Sequence, residues 1–167
     1  AAAGAREARS LAEMLGALDR MPKPLIGRVQ GQAFGGGVGL ISVCDVAVGV
    51  ESAKLGLTEV RLGLIPATIG PYVVARMGAA RARRVFFSGR VFGAGEAVEL
   101  GLLARVVPEE GLDAAVEAEI APYLRAAPGA VAAGKALVAE LAPPVDEAQI
   151  AATIAALVAR WESAESA

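Results

Sequence analysis

From Ala8 onward, Leu11, Met14, Leu15 and Leu18 recur at three- and four-residue intervals and mark one apolar face of a helix. The pattern predicts that helix over residues 5–20. It stops at Met21-Pro22-Lys23-Pro24, because proline lacks an N–H for the helical ladder and its ring clashes with the turn before it. Three short runs rich in Val or Leu predict strands at Leu25 to Val29, within Val43 to Val50, and at Leu103 to Val107. Between them stand helix candidates of unequal strength. Residues 36–44 are weakened by glycines, whereas 71–78, 81–89 and 95–101 each end on a glycine suited to a left-handed cap. Beyond Pro108, Leu112, Ala115, Val116, Glu119 and Ile120 open an amphipathic helix that Pro122 and Pro128 are expected to interrupt. Residues 129–141 continue helical, and Ile150, Ile154, Leu157, Val158 and Trp161 stripe a last helix introduced by Pro143-Pro144.

Strands alternating with helices and then helices alone predict an α/β core over residues 1–108 and a helical C-terminal region over 109–167. With 167 residues, 55% of them hydrophobic, the chain can bury one substantial core. Lys plus Arg (16) nearly balance Asp plus Glu (18), which argues against nucleic acid or an anionic membrane surface as the main partner. The single cysteine, Cys44, permits no internal disulfide and reads as a small buried hydrophobe in a reducing, cytoplasmic protein. Histidine is absent, which removes His-based triads and the commonest transition-metal ligand. Acid and base chemistry therefore falls to Asp, Glu, Lys, Tyr or Cys. No run of 18 apolar residues exists to span a membrane.

Two stretches carry candidate chemistry. The first is GQAFGGGVG (31–39), whose glycines fit neither GxGxxG nor a phosphate loop, since no Gly-Lys-Ser/Thr occurs. They either permit tight helix packing or bare the first N–H groups of a helix toward an oxygen that becomes negative during reaction. The second is Glu59, set among Leu55, Leu57, Val60, Leu62, Leu64 and Ile65. It is either a solvated residue of a short helix or an acid aimed into an apolar pocket, where desolvation makes it a stronger base at neutral pH. Arg76, Arg81, Arg83, Arg84 and Arg90 form a basic group that reads as a solvated helix face or, less simply, as a phosphate contact.

The segment KPLIGRVQGQAFGGGVGLISVCDVAVGVESAKLGLTEVRLGLIPATIG, followed by GRVFGAGEAVELGLLARVVP, resembles the central and C-terminal part of the enoyl-CoA hydratase/isomerase, or crotonase, superfamily. Lys-Pro, the glycine triplet, Cys-Asp, the Glu59 segment and the Ala-x-x-x-Gly-Leu run carry the likeness, from about Lys23 to Pro108 and more loosely to the end. The resemblance implies a core of spiralling ββα turns that binds an acyl-CoA thioester, and a helical C-terminal region that builds trimers or dimers of trimers. It places the oxyanion-hole amide on Gly36 and a catalytic acid/base on Glu59, with Ala33, Phe34, Gly35, Gly39, Leu62, Pro66 and Ala67 around the substrate. Coenzyme A is then part of the substrate, and neither a separate cofactor nor a metal is implied.

Departures from the family pattern shape the functional expectation. The family's second catalytic glutamate falls on Gly39, and its Pro-Gly-x-Gly-Gly is Pro66-Ala67-Thr68-Ile69-Gly70, a bulkier wall. TEVRLGLIPATIGPYV resembles enzymes acting on methylglutaconyl-type or isoprenoid-glutaconyl thioesters. The resemblance also puts a second oxyanion donor and much of the CoA cleft before residue 1, so a fragment of a longer protein is expected, with its closing helix cut short. The expectation is an enoyl-CoA hydratase working through an oxyanion-stabilised enolate. The alternatives are a double-bond isomerase with Glu59 as single base, an inactive acyl-CoA-binding relative, and, outside the family, a nucleotide-binding α/β module.

Overall fold

The computed structural model describes residues 2–142 and 145–163. In chain order the elements are α1 (Ala2–Asp19), β1 (Ile26–Val29), β2 (Gln32–Phe34), α2 (Gly36–Ser42), β3 (Val46–Val50), β4 (Lys54–Gly56) and a 3-10 turn (Glu59–Leu62). There follow α3 (Gly70–Met77), α4 (Ala79–Ala82), β5 (Val91–Gly93), α5 (Ala94–Glu99), β6 (Arg105–Val107), a second 3-10 turn (Glu109–Gly111), α6 (Leu112–Leu124), α7 (Pro128–Leu141) and α8 (Glu147–Trp161).

Two three-stranded sheets organise the core. One has the order β1-β3-β6, all parallel; in the other β2 pairs parallel and β5 antiparallel with the central β4. The chain thus passes twice through strand, strand and helix. β1 lies beside β3 with Ile26 opposite Val46, and β2 beside β4 with Ala33 opposite Leu55. The step between the sheets is made at Gly31, whose φ of 70° suits a residue without a Cβ, and its carbonyl accepts Lys54 N–H at 2.9 Å. Leu55, Leu57, Val48, Val50, Leu100 and Leu102 fill the space between sheets and helices and are essentially inaccessible.

The three long-range strands predicted from sequence are present as β1, β3 and β6, and the helices form near the expected places. Three differences are instructive. β2, β4 and β5 lie outside the predicted strands, because Gln32–Phe34, Lys54–Gly56 and Val91–Gly93 carry no run of Val or Leu, whereas the equally short β6 stands within the apolar run Leu103 to Val107. Within the expected helix 81–89 only the end of α4 is α-helical, and turns follow from Arg83. Pro122 does not interrupt α6 but lies in its final turn, where less than one further turn has to form. Pro128 instead opens α7, at a position whose N–H would have no partner in the helix anyway. The Pro143-Pro144 introduction to the last helix lies outside the described residues; α8 is capped by Asp146, whose Oδ1 accepts Gln149 N–H at 2.8 Å.

Helices attach to this frame by a few specific contacts. Asp45 Oδ2 accepts Leu25 N–H at 2.7 Å and Lys135 Nζ at 2.8 Å, and Lys135 also donates to the Lys23 carbonyl, so α7 is tied to the entry of β1. α2 lies directly on α3 and α1. A Cβ added at Gly39 would stand 2.5 Å from Ile69 Cγ2 and 3.5 Å from Leu15 Cδ1, so the contact requires a residue with no side chain. Gly39→Ala is therefore expected to lower stability by about 1–3 kcal/mol through overpacking. Adding Ile69→Ala should return part of that loss. Urea unfolding of the two single variants and the double variant measures this, and simple additivity would show that the residues do not meet.

Candidate active site

The glycine run and Glu59 are brought together by the pairing of β2 with β4. Phe34 lies opposite Gly56, so the residues that leave the two strands on the same side, Gly35 and the 58–62 segment, emerge as neighbours. Gly35 N–H donates to the Gly56 carbonyl at 3.0 Å, while the Gly35 carbonyl accepts Val38 N–H at 2.9 Å and Gly39 N–H at 3.2 Å. These bonds fix the start of α2. Gly36 and Gly37 are its first residues, and among the described residues neither N–H has a backbone acceptor, as expected for the opening of a helix.

Gly35 itself has φ 48° and ψ −112°, a conformation that L side chains rarely adopt. A Cβ there would stand only 3.1 Å from Glu59 Oε1. Two demands, a positive φ and a close approach by the acid, thus fall on one glycine. Glu59 heads the 3-10 turn, and its carbonyl is held by Leu64 N–H at 3.1 Å. The residue is half-buried, and Oε2 is shielded from solvent with no hydrogen-bond partner among the described residues. Burial therefore pushes the carboxyl above its ordinary range, and a hydrogen bond from its own backbone opposes this less strongly. Glu59 is thus not a fully solvated residue of a short helix: one of its carboxyl oxygens is shielded within the fold.

The remaining predicted residues divide. Ala33 is partly buried on β2, and Phe34 is 37% exposed beside it. Gly39 is corrected from substrate contact to helix packing, because Ile69 and Leu15 fill the volume in front of it. Ala67 is also buried, and it packs with α1 and α8 through Ala8, Ile154 and Leu157; its N–H and carbonyl are both bonded within the chain. Pro66 is buried next to it, and Leu62 stands 67% exposed at the end of the turn. The arginine group is largely engaged within the protein. Arg90 forks onto Glu96 at 2.6 and 2.8 Å and holds that carboxyl below its ordinary range, Arg84 joins them, and Arg76 donates to the Cys44 and Gly101 carbonyls. Cys44 donates to the Leu40 carbonyl, and burial raises its thiol, the wrong direction for a nucleophile.

Two hollows lie apart from Gly36 and Glu59. A space of about 330 Å³ lies among Asp19, Arg20, Ser42, Tyr72, Arg76 and Lys135, and an apolar groove of about 320 Å³ runs past Pro24, Ile120, Tyr123 and Leu124; neither is lined by Gly36 or Glu59. Among the described residues no cluster of His, Cys, Asp or Glu is placed to hold a metal ion, and no helix is long and apolar enough to cross a membrane. Sequence reasoning missed two residues that shape the site. Ile69 was read only as bulk, and Arg160, which donates to the Gly63 carbonyl at the end of the Glu59 turn, carried no signal beyond a basic residue in the last turn of a helix.

A mixed α/β frame in which the parallel pairing of β2 with β4 sets a bare helix start against a half-buried acid defines a class of proteins, and comparison with known proteins identifies it. Residues 3–166 match the family model described as enoyl-CoA hydratase/isomerase, and the chain belongs to that family. It is 40% identical over 129 residues to the enoyl-CoA hydratase ACTT6 of Alternaria alternata, covering 77% of this chain and 43% of that protein. It superimposes on an enoyl-CoA hydratase from Shewanella pealeana with a TM-score of 0.78 and 38% identity, over 96% of this chain and 60% of that one. An enoyl-CoA hydratase from Mycobacterium avium gives a TM-score of 0.84 at 28% identity, over 97% and 64%. The chain therefore spans less than two thirds of the length of these relatives.

The raised Glu59 carboxyl has a consequence for stability. Its protonated form is favoured by the fold, so its contribution is fully present below the unfolded carboxylate value and is lost as pH rises through the folded value. Above that window the charged acid opposes folding. Glu59→Gln is expected to raise the thermal midpoint relative to the parent at pH 8, with the gap closing toward pH 4. A gap that is constant with pH would show that Glu59 is solvated.

Proposed function

We propose that this chain carries the acid–base and one oxyanion contact of an enoyl-CoA hydratase. The observation that supports it most is the unpartnered, desolvated Oε2 of Glu59, whose other oxygen rests against Gly35, immediately before an amide at Gly36 that has no acceptor. An acyl-CoA thioester laid along the glycines puts its carbonyl oxygen on Gly36 N–H. Water then adds to the β-carbon as the C=C electron pair shifts to that oxygen, giving an enolate that the amide stabilises more than it does the neutral carbonyl. Glu59 takes the proton released by water and returns it to the α-carbon, which re-forms the carbonyl. A carboxyl shifted toward neutral pH suits both directions.

One observation favours isomerisation as the second reading. Ile69 fills the space in front of Gly39, so a second carboxylate cannot stand there, and a single acid shuttling one proton between two carbons is sufficient for moving a double bond. Ala67, Thr68 and Ile69 are all buried within the fold, so methylglutaconyl-type or isoprenoid-glutaconyl thioesters are the proposed class on the resemblance of TEVRLGLIPATIGPYV alone. The two strand, strand, helix passages are read as turns of the ββα spiral. The exposed Leu137, Val138 and Leu141 of α7 and Leu124 of α6 support burial in a homotrimer or dimer of trimers. The proposed setting is the cytoplasm.

The test is turnover of 2-enoyl and 3-enoyl thioesters by the intact protein, followed by absorbance of the conjugated enoyl group. Loss of absorbance from a 2-enoyl substrate is the expected result, and gain from a 3-enoyl substrate alone identifies the isomerase. Glu59→Gln should lower kcat by about 10²–10⁴, the range for a general acid–base group. Near-parental turnover in that variant would remove Glu59 from the mechanism.

A further inference from the structure

The turn that carries Glu59 has little to hold it. It is four residues long, none of them buried, and Arg61 and Leu62 are exposed. Nor is the carboxylate fixed by a strong partner of its own, since Oε2 has none. The position of the acid must therefore come from the backbone of the turn, and the backbone must be restrained from outside.

That restraint comes from the far end of the chain. The guanidinium of Arg160, in the last turn of α8, donates to the Gly63 carbonyl twice, from Nε at 3.0 Å and from Nη2 at 2.8 Å. Gly63 ends the turn with φ 70°, and its N–H bonds to Val60 O at 3.2 Å. The next residue, Leu64, returns its N–H to the Glu59 carbonyl. Leu64 and Ile65 then pack into the cluster formed by Ile150, Ile154 and Leu157 of α8 with Ala8 and Ala12 of α1. Along this line each covalent or hydrogen-bonded step leads from α8 to Glu59. We infer that Arg160 is a positioning residue: by gripping the Gly63 carbonyl it fixes the turn that holds the Glu59 carboxylate against Gly35.

The inference rests on the proposed acid–base role only for its effect on rate; the placement of the carboxylate can be read independently. An Arg is suited to the task because its planar fork presents two N–H groups to one oxygen, whereas a Lys offers a point charge on a mobile stem. α8 has a second polar tie, Arg9 to Glu147 at 2.8 Å, which joins α1 to α8 at the other end and does not touch the turn. It provides the control for simple docking of α8.

The experiment compares Arg160→Met, Arg160→Lys and Arg9→Met in the intact protein. It reads the Glu59 carboxyl titration by carbon NMR, assigned by its disappearance in Glu59→Gln, together with hydrogen exchange at the Leu64 amide. In Arg160→Met the Glu59 titration should move down toward the ordinary carboxylate range, and Leu64 exchange should quicken roughly ten-fold. kcat should fall about ten-fold or more, as a misplaced group predicts, with KM changed less than about two-fold. Arg160→Lys should fall between, and remains informative if the Met variant does not fold. Arg9→Met should leave the Glu59 titration where it was. Unchanged titration and exchange in both Arg160 variants, or an equal shift in Arg9→Met, overturns the inference. Absence of turnover in the parent protein with the titration shift intact refutes the reaction and leaves the positioning in place.

Discussion

The close approach of a carboxylate to a backbone without a side chain is the constraint on which the rest depends. Glu59 Oε1 lies where a Cβ on Gly35 would crowd it, and Gly35 holds a positive φ that other residues avoid. Any other residue at 35 would strain the chain and push the acid away. The acid, for its part, gains nothing in stability from being there, because desolvation acts against its charge. An arrangement that is unfavourable locally persists because its surroundings hold it in place.

The surroundings do this with ordinary means. Parallel pairing of β2 with β4 brings two segments about twenty residues apart to the same edge, and a three-residue ladder is enough because β5 closes its other side. Gly39 lets α2 sit on Ile69, the residue that leads into α3, which settles the direction from which the Gly36 amide is presented. The helices of the C-terminal region then reach back: α7 through Lys135 to Asp45, and α8 through Arg160 to Gly63. The distal helical layer is thus mechanically joined to the site and not merely appended to it.

How much of this could be read in advance depends on the range of each signal. β1, β3 and β6 were legible because each stands in a run rich in Val or Leu, and the amphipathic helices because burial on one face writes a period over several turns. β2, β4 and β5 were not, since Gln32–Phe34, Lys54–Gly56 and Val91–Gly93 owe their conformation to their neighbours in the sheet. The roles given to Glu59 and Gly36 come from the family resemblance, whereas composition left Glu59 between solvent and pocket; its partial burial is a tertiary fact. Gly39 was misassigned to the substrate because a glycine beside a site has two uses, and only the position of Ile69 separates them. Arg160 was invisible, as its partner is a carbonyl 97 positions away.

The central claim is that the Gly36 amide and the Glu59 carboxyl face one thioester. A crystal structure of the intact protein with a non-hydrolysable acyl-CoA analogue tests it most directly. The account predicts the thioester-equivalent oxygen within hydrogen-bonding distance of Gly36 N and the α-carbon next to Glu59. An acyl group seated instead in the groove beside Pro24, Ile120 and Tyr123, with Glu59 turned away from it, would contradict the account.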